Sequence, residues 1–117
     1  MDDEECIRTL GKRVLEKMGF LVTAVSNGAD CVQSYREAYQ SGRPFDFVIL
    51  DLTVPSGMGG EEAMAELRRI DPGVRAIVSS GYSGDPVMSD YRKFGFCAVV
   101  PKPYDCKALA AVIDGLE

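Results

Sequence analysis

The chain has 117 residues, 46% of them hydrophobic and 26% charged, with a net charge of -5 and neither histidine nor tryptophan. That suffices for one domain with a modest core, the acidic balance argues against nucleic acid as a direct partner, and the lack of histidine leaves a zinc site poor material. Cys6, Cys31, Cys97 and Cys106 form no CxxC and fall in apolar patterns, which predicts reduced core or near-core thiols.

In chain order, Met1 to Glu5 reads MDDEE and precedes a helical pattern carried by Ile7, Leu10, Val14, Leu15 and Met18. Asp3 is placed to cap that helix, and Gly19 ends it. Leu21 to Val25 is a short strand candidate closed by Asn27-Gly28. A second helix is predicted from about Ala29 to Gln40, broken by Ser41-Gly42-Arg43-Pro44. Next comes FDFVILDLTVPSGMGG, Phe45 to Gly60. Its apolar run, Phe47 to Leu50, has no polar alternation, so it wants cover on both faces, as an interior strand of a parallel sheet does. The run ends in Asp51. A carboxylate there lies at the sheet edge where open α/β folds keep their sites, although Asp beside a loop also serves as a turn residue.

Glu61 to Ile70 is predicted as a third helix, stopped by Asp71-Pro72-Gly73. Val74 to Ser79 is a strand ending in Ser79-Ser80-Gly81, and Val87 to Phe94 a short helix capped by Gly95. Phe96 to Val100 is the last strand, followed by Pro101-Lys102-Pro103, and Asp105 to Leu116 the last helix. Alternating strands and helices predict an α/β fold with a single doubly wound parallel sheet over residues 1–117. Four strands can be counted. Asp2 and Asp3 sit where a further, first strand should end, so that strand is expected to be missing or truncated. No apolar run approaches a membrane span and no signal-peptide pattern follows the acidic start, which predicts a cytoplasmic domain without membrane contact.

In such a sheet all strand C-termini face one way, which brings Asp2, Asp3, Asp51, Ser80 and Lys102 to one edge. Each has a plainer role alone: cap, turn residue, solvated lysine. Together they offer oxygen donors suited to Mg²⁺, a lysine suited to phosphate and a hydroxyl for phosphoryl oxygens. That set suits phosphoryl transfer to a carboxylate.

These residues resemble the receiver (response-regulator) domain of two-component phosphorelays, over almost the whole chain. The carrying motifs are the acidic pair Asp2-Asp3, the run Asp51-Leu52-Thr53-Val54-Pro55, Ser80-Gly81 and Lys102-Pro103. The resemblance implies a flavodoxin-like receiver fold and a signalling module rather than an ordinary enzyme. Asp51 would accept a phosphoryl group from a sensor histidine kinase or a histidine phosphotransfer domain. Asp3 would ligate Mg²⁺ directly and Asp2 through water, with Asp51 and the Thr53 backbone carbonyl completing the protein ligands. Lys102 would pair with Asp51 and then with the phosphoryl group, Ser80 would move toward it, and the Lys102–Pro103 bond would be cis. The Ser80-Gly81-Tyr82 style is similar to receivers attached to hybrid sensor kinases, which implies covalently attached kinase domains in the full-length protein.

Three departures stand out: the absent first strand, a loop after Pro55 one residue longer so that Gly60 matches the family glycine, and Val99 at the usual aromatic switch position. The alternatives are a receiver-like interaction domain that is not phosphorylated, and an aspartyl phosphatase or phosphotransferase. The latter is poorly served, since Thr53 stands where its second acid should be. A dinucleotide site lacks GxGxxG. A second chain closing the unpaired edge would give a homodimer.

Overall fold

The computed structural model describes residues 1–52, 54, 57–81, 86–102 and 105–115. Its elements are α1 (Glu5–Lys17), α2 (Gly28–Gln40), β1 (Val48–Asp51), α3 (Gly60–Ile70), β2 (Ala76–Ser80), α4 (Pro86–Ser89), a 3₁₀ turn (Tyr91–Phe94), β3 (Ala98–Pro101) and α5 (Cys106–Asp114). The strands pair in parallel in the order β1-β2-β3. β2 is central and buried at every position, which explains its unbroken apolar run of Ala76, Ile77 and Val78.

Side-chain alternation divides the core. Leu50 and Val78 join Cys31, Val32 and Tyr35 of α2 and Ala63, Met64 and Leu67 of α3. Ile77 and Val100 join Val14 and Leu15 of α1 and Leu109 and Ile113 of α5. Two helical layers thus sandwich the sheet, as the doubly wound expectation requires.

Several boundaries differ from expectation. Glu4, not Asp3, is the N-cap of α1, and it makes no side-chain cap bond. Asp2 does the local work instead: its Oδ1 accepts from Glu4 N at 3.0 Å. The helix predicted over Val87 to Phe94 divides into α4 and the 3₁₀ turn, which ends at Gly95 with φ 94°. Little apolar surface there rewards one continuous helix. Of the cysteines only Cys31 is buried; Cys6, Cys97 and Cys106 are exposed free thiols, because their positions face outward from the layers.

The main difference concerns Leu21 to Val25. Among the described residues it forms no ladder with another strand; Val25 O accepts from Asp2 N at 3.1 Å. A strand needs a partner for its amides and carbonyls, and only two residues reach the space beside it. Met1 N donates to Ile49 O at 2.8 Å, and Asp51 N donates to Met1 O at 3.0 Å. Met1 and Asp2 therefore lie as a strand stub between β1 and Val25. Below them runs a groove of about 820 Å³ whose walls include Leu15, Phe20, Val22, Tyr35, Phe47 and Ile49. Phe20 and Phe47 meet edge to face across its floor, ring centroids 5.2 Å apart.

Candidate functional site

Parallel pairing sets the site. The register matches Asp51 with Ser79 and Ser80 with Pro101, so β1, β2 and β3 end together. Lys102 N donates to Ser80 O at 3.1 Å, tying the residue after β3 to the end of β2. The Lys102 side chain turns back over the edge. Its Nζ lies 2.7 Å from Asp2 Oδ2 and 2.9 Å from Asp51 Oδ1. Asp2 and Asp51 are 3% and 1% exposed, so both carboxylates of this ion-paired triad are buried, and Lys102 is partly so.

Burial is the chief cause that raises the Asp51 carboxyl to about 6. The Lys102 ammonium opposes the rise, and the Asp2 and Asp3 carboxylates add to it. Burial works against the Lys102 charge too, but the carboxylates of Asp2 and Asp51 outweigh it and hold its pKa above the ordinary value. The Met1 ammonium is lowered, chiefly by desolvation.

Asp3 is exposed and near enough to Asp51 to share a hydrogen bond with it. Carboxylate oxygens of Asp2, Asp3 and Glu4 lie within 4.8 Å of one another. Oxygen donors alone, several of them anionic, fit a hard divalent cation such as Mg²⁺. Ser80 is buried at the end of β2. Thr53, Pro55 and Pro103, and with them the expected Thr53 carbonyl ligand and cis bond, lie outside the described residues.

The α2 start and the loop after β1 fit closely. Gly28 N donates to Met58 O at 2.8 Å, and a Cβ at Gly28 would stand 2.7 Å from that oxygen. A Cβ at Gly60 would stand 2.8 Å from Asp51 O, so position 60 needs glycine by contact alone.

Three participants carry no sequence signal. Arg8 Nη1 donates to Asp2 O at 2.9 Å and steadies the stub. The Met1 amino group is the second cation near Asp51. Ser79 Oγ is buried without a hydrogen-bond partner among the described residues. The direct ion pair of Asp2 with Lys102 was also not expected. It arises because a partly buried lysine and a buried carboxylate both lower their cost by pairing.

The family model of the response regulator receiver domain matches residues 1–114. The chain is 31% identical to the chemotaxis protein CheY of Listeria monocytogenes, over 100% of this chain and 92% of that protein. It is 31% identical to the sensor kinase CckA of Brucella abortus over 97% of this chain, but spans only 12% of that protein's length. Among solved structures, CheY in a CheX-CheY-BeF₃-Mg²⁺ complex from Borrelia burgdorferi superposes with TM-score 0.87 at 22% identity, covering 98% of this chain and 84% of that one. The receiver domain of a sensor histidine kinase from Pseudomonas aeruginosa, with magnesium coordinated in its active-site cleft, gives TM-score 0.84 at 19% identity, covering 99% and 92%. These likenesses show the flavodoxin-like receiver fold.

Proposed function

Because the chain belongs to the response regulator receiver domain family, we propose that it is a phosphoacceptor module whose acceptor is Asp51. The observation that carries this reading is the buried Asp51 carboxylate held 2.9 Å from Lys102 Nζ at the C-terminal sheet edge. An Asp51 oxygen attacks the phosphorus of a phosphohistidine, the P–N bond breaks, and an acyl phosphate forms on Asp51 while the imidazole leaves. Lys102 keeps Asp51 ionised at rest and afterwards offers its ammonium to the phosphoryl oxygens. Ser80, at the end of β2, supplies a hydroxyl toward the same oxygens. Asp2, Asp3 and Asp51, with the Thr53 carbonyl, would hold Mg²⁺, which when bound neutralises charge on the transferring group. The donor is a histidine kinase or histidine phosphotransfer domain, joined to this domain in a longer protein or separate from it.

The test uses Mg²⁺ with acetyl phosphate and intact mass. We expect a gain of one phosphoryl group that Asp51→Asn abolishes. A folded sample that gains nothing supports the second reading, an interaction domain that is not phosphorylated.

A further inference from the structure

We propose that Ser79 is a positioning residue for Asp51: its hydroxyl donates to the acyl oxygen of Asp51 once Lys102 has left that carboxyl for the phosphoryl group. The inference rests on the acceptor reading of Asp51 and adds a residue to it.

Ser79 is wholly buried, and its Oγ has no hydrogen-bond partner among the described residues. A buried hydroxyl in that state costs free energy that a methyl group there would not. Such a group calls for a reason, and an acceptor that becomes available in another state of the molecule is one.

The sheet places Ser79 beside Asp51. Register pairs Asp51 with Ser79 and Ser79 with Val100 across β1, β2 and β3. Residues two apart on a strand share a face. Ile49, Ile77 and Val100 all pack on the α1 and α5 side, so Asp51, Ser79 and Lys102, each two residues further along, lie to that side. Ser80 alternates to the opposite face, with Val78, so the two hydroxyls cannot stand in for each other. Neighbouring strands are about 4.8 Å apart, which separates β1 from β3 by about 10 Å, with β2 between them. The Lys102 side chain therefore spans β2 to bring its Nζ 2.9 Å from Asp51 Oδ1. Ser79 is the β2 residue level with Asp51 on the side that Lys102 crosses.

At rest the Lys102 ammonium holds the Asp51 carboxylate. Transfer turns one Asp51 oxygen into the link to phosphorus and leaves the other as the acyl oxygen. Lys102 follows the negative charge onto the phosphoryl group. The acyl oxygen is then an acceptor at a buried position that has lost its cation. Ser79, level with it, supplies the O–H. No proton leaves Ser79, and no covalent bond to its oxygen forms or breaks. The hydroxyl is thus unsatisfied before transfer and satisfied after it, which favours the loaded state over the resting one.

The test compares the unaltered chain with Ser79→Ala. Loading is followed by intact mass during incubation with Mg²⁺ and acetyl phosphate. It is also followed by titration with beryllium fluoride in Mg²⁺, where the fluoride adduct on Asp51 stands in for the phosphoryl group. We expect Ser79→Ala to raise the Tm of the unloaded chain by ~3 °C or more. We expect it also to slow the mass gain and to weaken beryllium fluoride binding, each about fivefold. A serine that only packs would shift Tm and leave both loading readouts where they were, and that result overturns the proposal. A lower Tm for Ser79→Ala, or its failure to fold, shows a hydroxyl already bonded at rest and overturns it as well. The second arm is a crystal structure of the unaltered chain with Mg²⁺ and beryllium fluoride. Ser79 Oγ should stand about 2.7–3.0 Å from the Asp51 acyl oxygen there, and a separation beyond hydrogen-bond reach overturns the proposal. If the unaltered chain neither gains mass nor binds beryllium fluoride, the acceptor reading fails and this inference with it. If it does both and Ser79→Ala matches it, this inference fails alone.

Discussion

Asp51 is held where its charge is costly, and that gives it a distinct pH signature. Its ordinary value is 3.8 and its value in the fold is about 6. Between those values the folded chain binds the proton more tightly than the unfolded chain. Stability therefore falls as pH rises from about 4 to about 6 and stays lower above. Asp51→Asn removes this term. It should raise stability at pH 7 on the order of 3 kcal/mol and change little at pH 3.5. Urea unfolding at both pH values measures it, and an equal effect at both would contradict the assignment. Lys102 has the opposite role, since it is the cation between two buried carboxylates. Lys102→Ala leaves both unpaired and should cost about 3 kcal/mol at pH 8. The cost should shrink toward pH 4 as the Asp51 carboxyl protonates, and a pH-independent loss would count against the ion-pair account. Asp51, Ser80 and Lys102 could be picked out from the sequence because each ends or closely follows an apolar strand pattern, and Asp2 and Asp3 as an acidic pair at the family's motif position. The pairing of Asp2 with Lys102 could not, because it depends on where two side chains far apart in the chain come to rest.

At the scale of elements, the helices are held to each other at their ends. Asn27 Oδ1 accepts from Asp30 N at 2.9 Å and starts α2. Tyr35 of α2, almost wholly buried, donates its hydroxyl to Asp71 Oδ2 at 2.6 Å, just after α3. Burial first, and Asp71 second, push the Tyr35 phenol above its ordinary value. Tyr35→Phe keeps the ring and loses this bond. It should lower stability by about 1–2 kcal/mol, read as a lower denaturation midpoint at unchanged m-value. No loss would mean that Asp71 finds water as a fully adequate replacement. Helices α1, α2, α3 and α5 were legible from apolar spacing and punctuating Gly and Pro. The strand over Leu21 to Val25 was not realised, since a strand is defined by its neighbour and its sequence carries only half of that condition.

For the whole molecule, the candidate site depends on bringing three strand ends and Met1-Asp2 to one edge. If that edge holds Mg²⁺, ligand linkage stabilises the fold. Mg²⁺ at ten times its Kd should add about 1.4 kcal/mol, or roughly 5 °C in Tm. A chelator should reverse the gain and Asp51→Asn should reduce it. A Tm indifferent to Mg²⁺ would sink the metal assignment. The described residues contain no helix long and apolar enough to cross a membrane. The amino-acid sequence by itself determined the layered α/β order, the family, and the residues ending at the site edge, because apolar periodicity and strand-end chemistry are local properties. Only the tertiary structure decided which carboxylate shares Lys102, that Met1 and Asp2 bridge β1 and Val25, and that a groove opens beneath them. Those outcomes are contacts between segments far apart along the chain, and they exist only once the layers have closed.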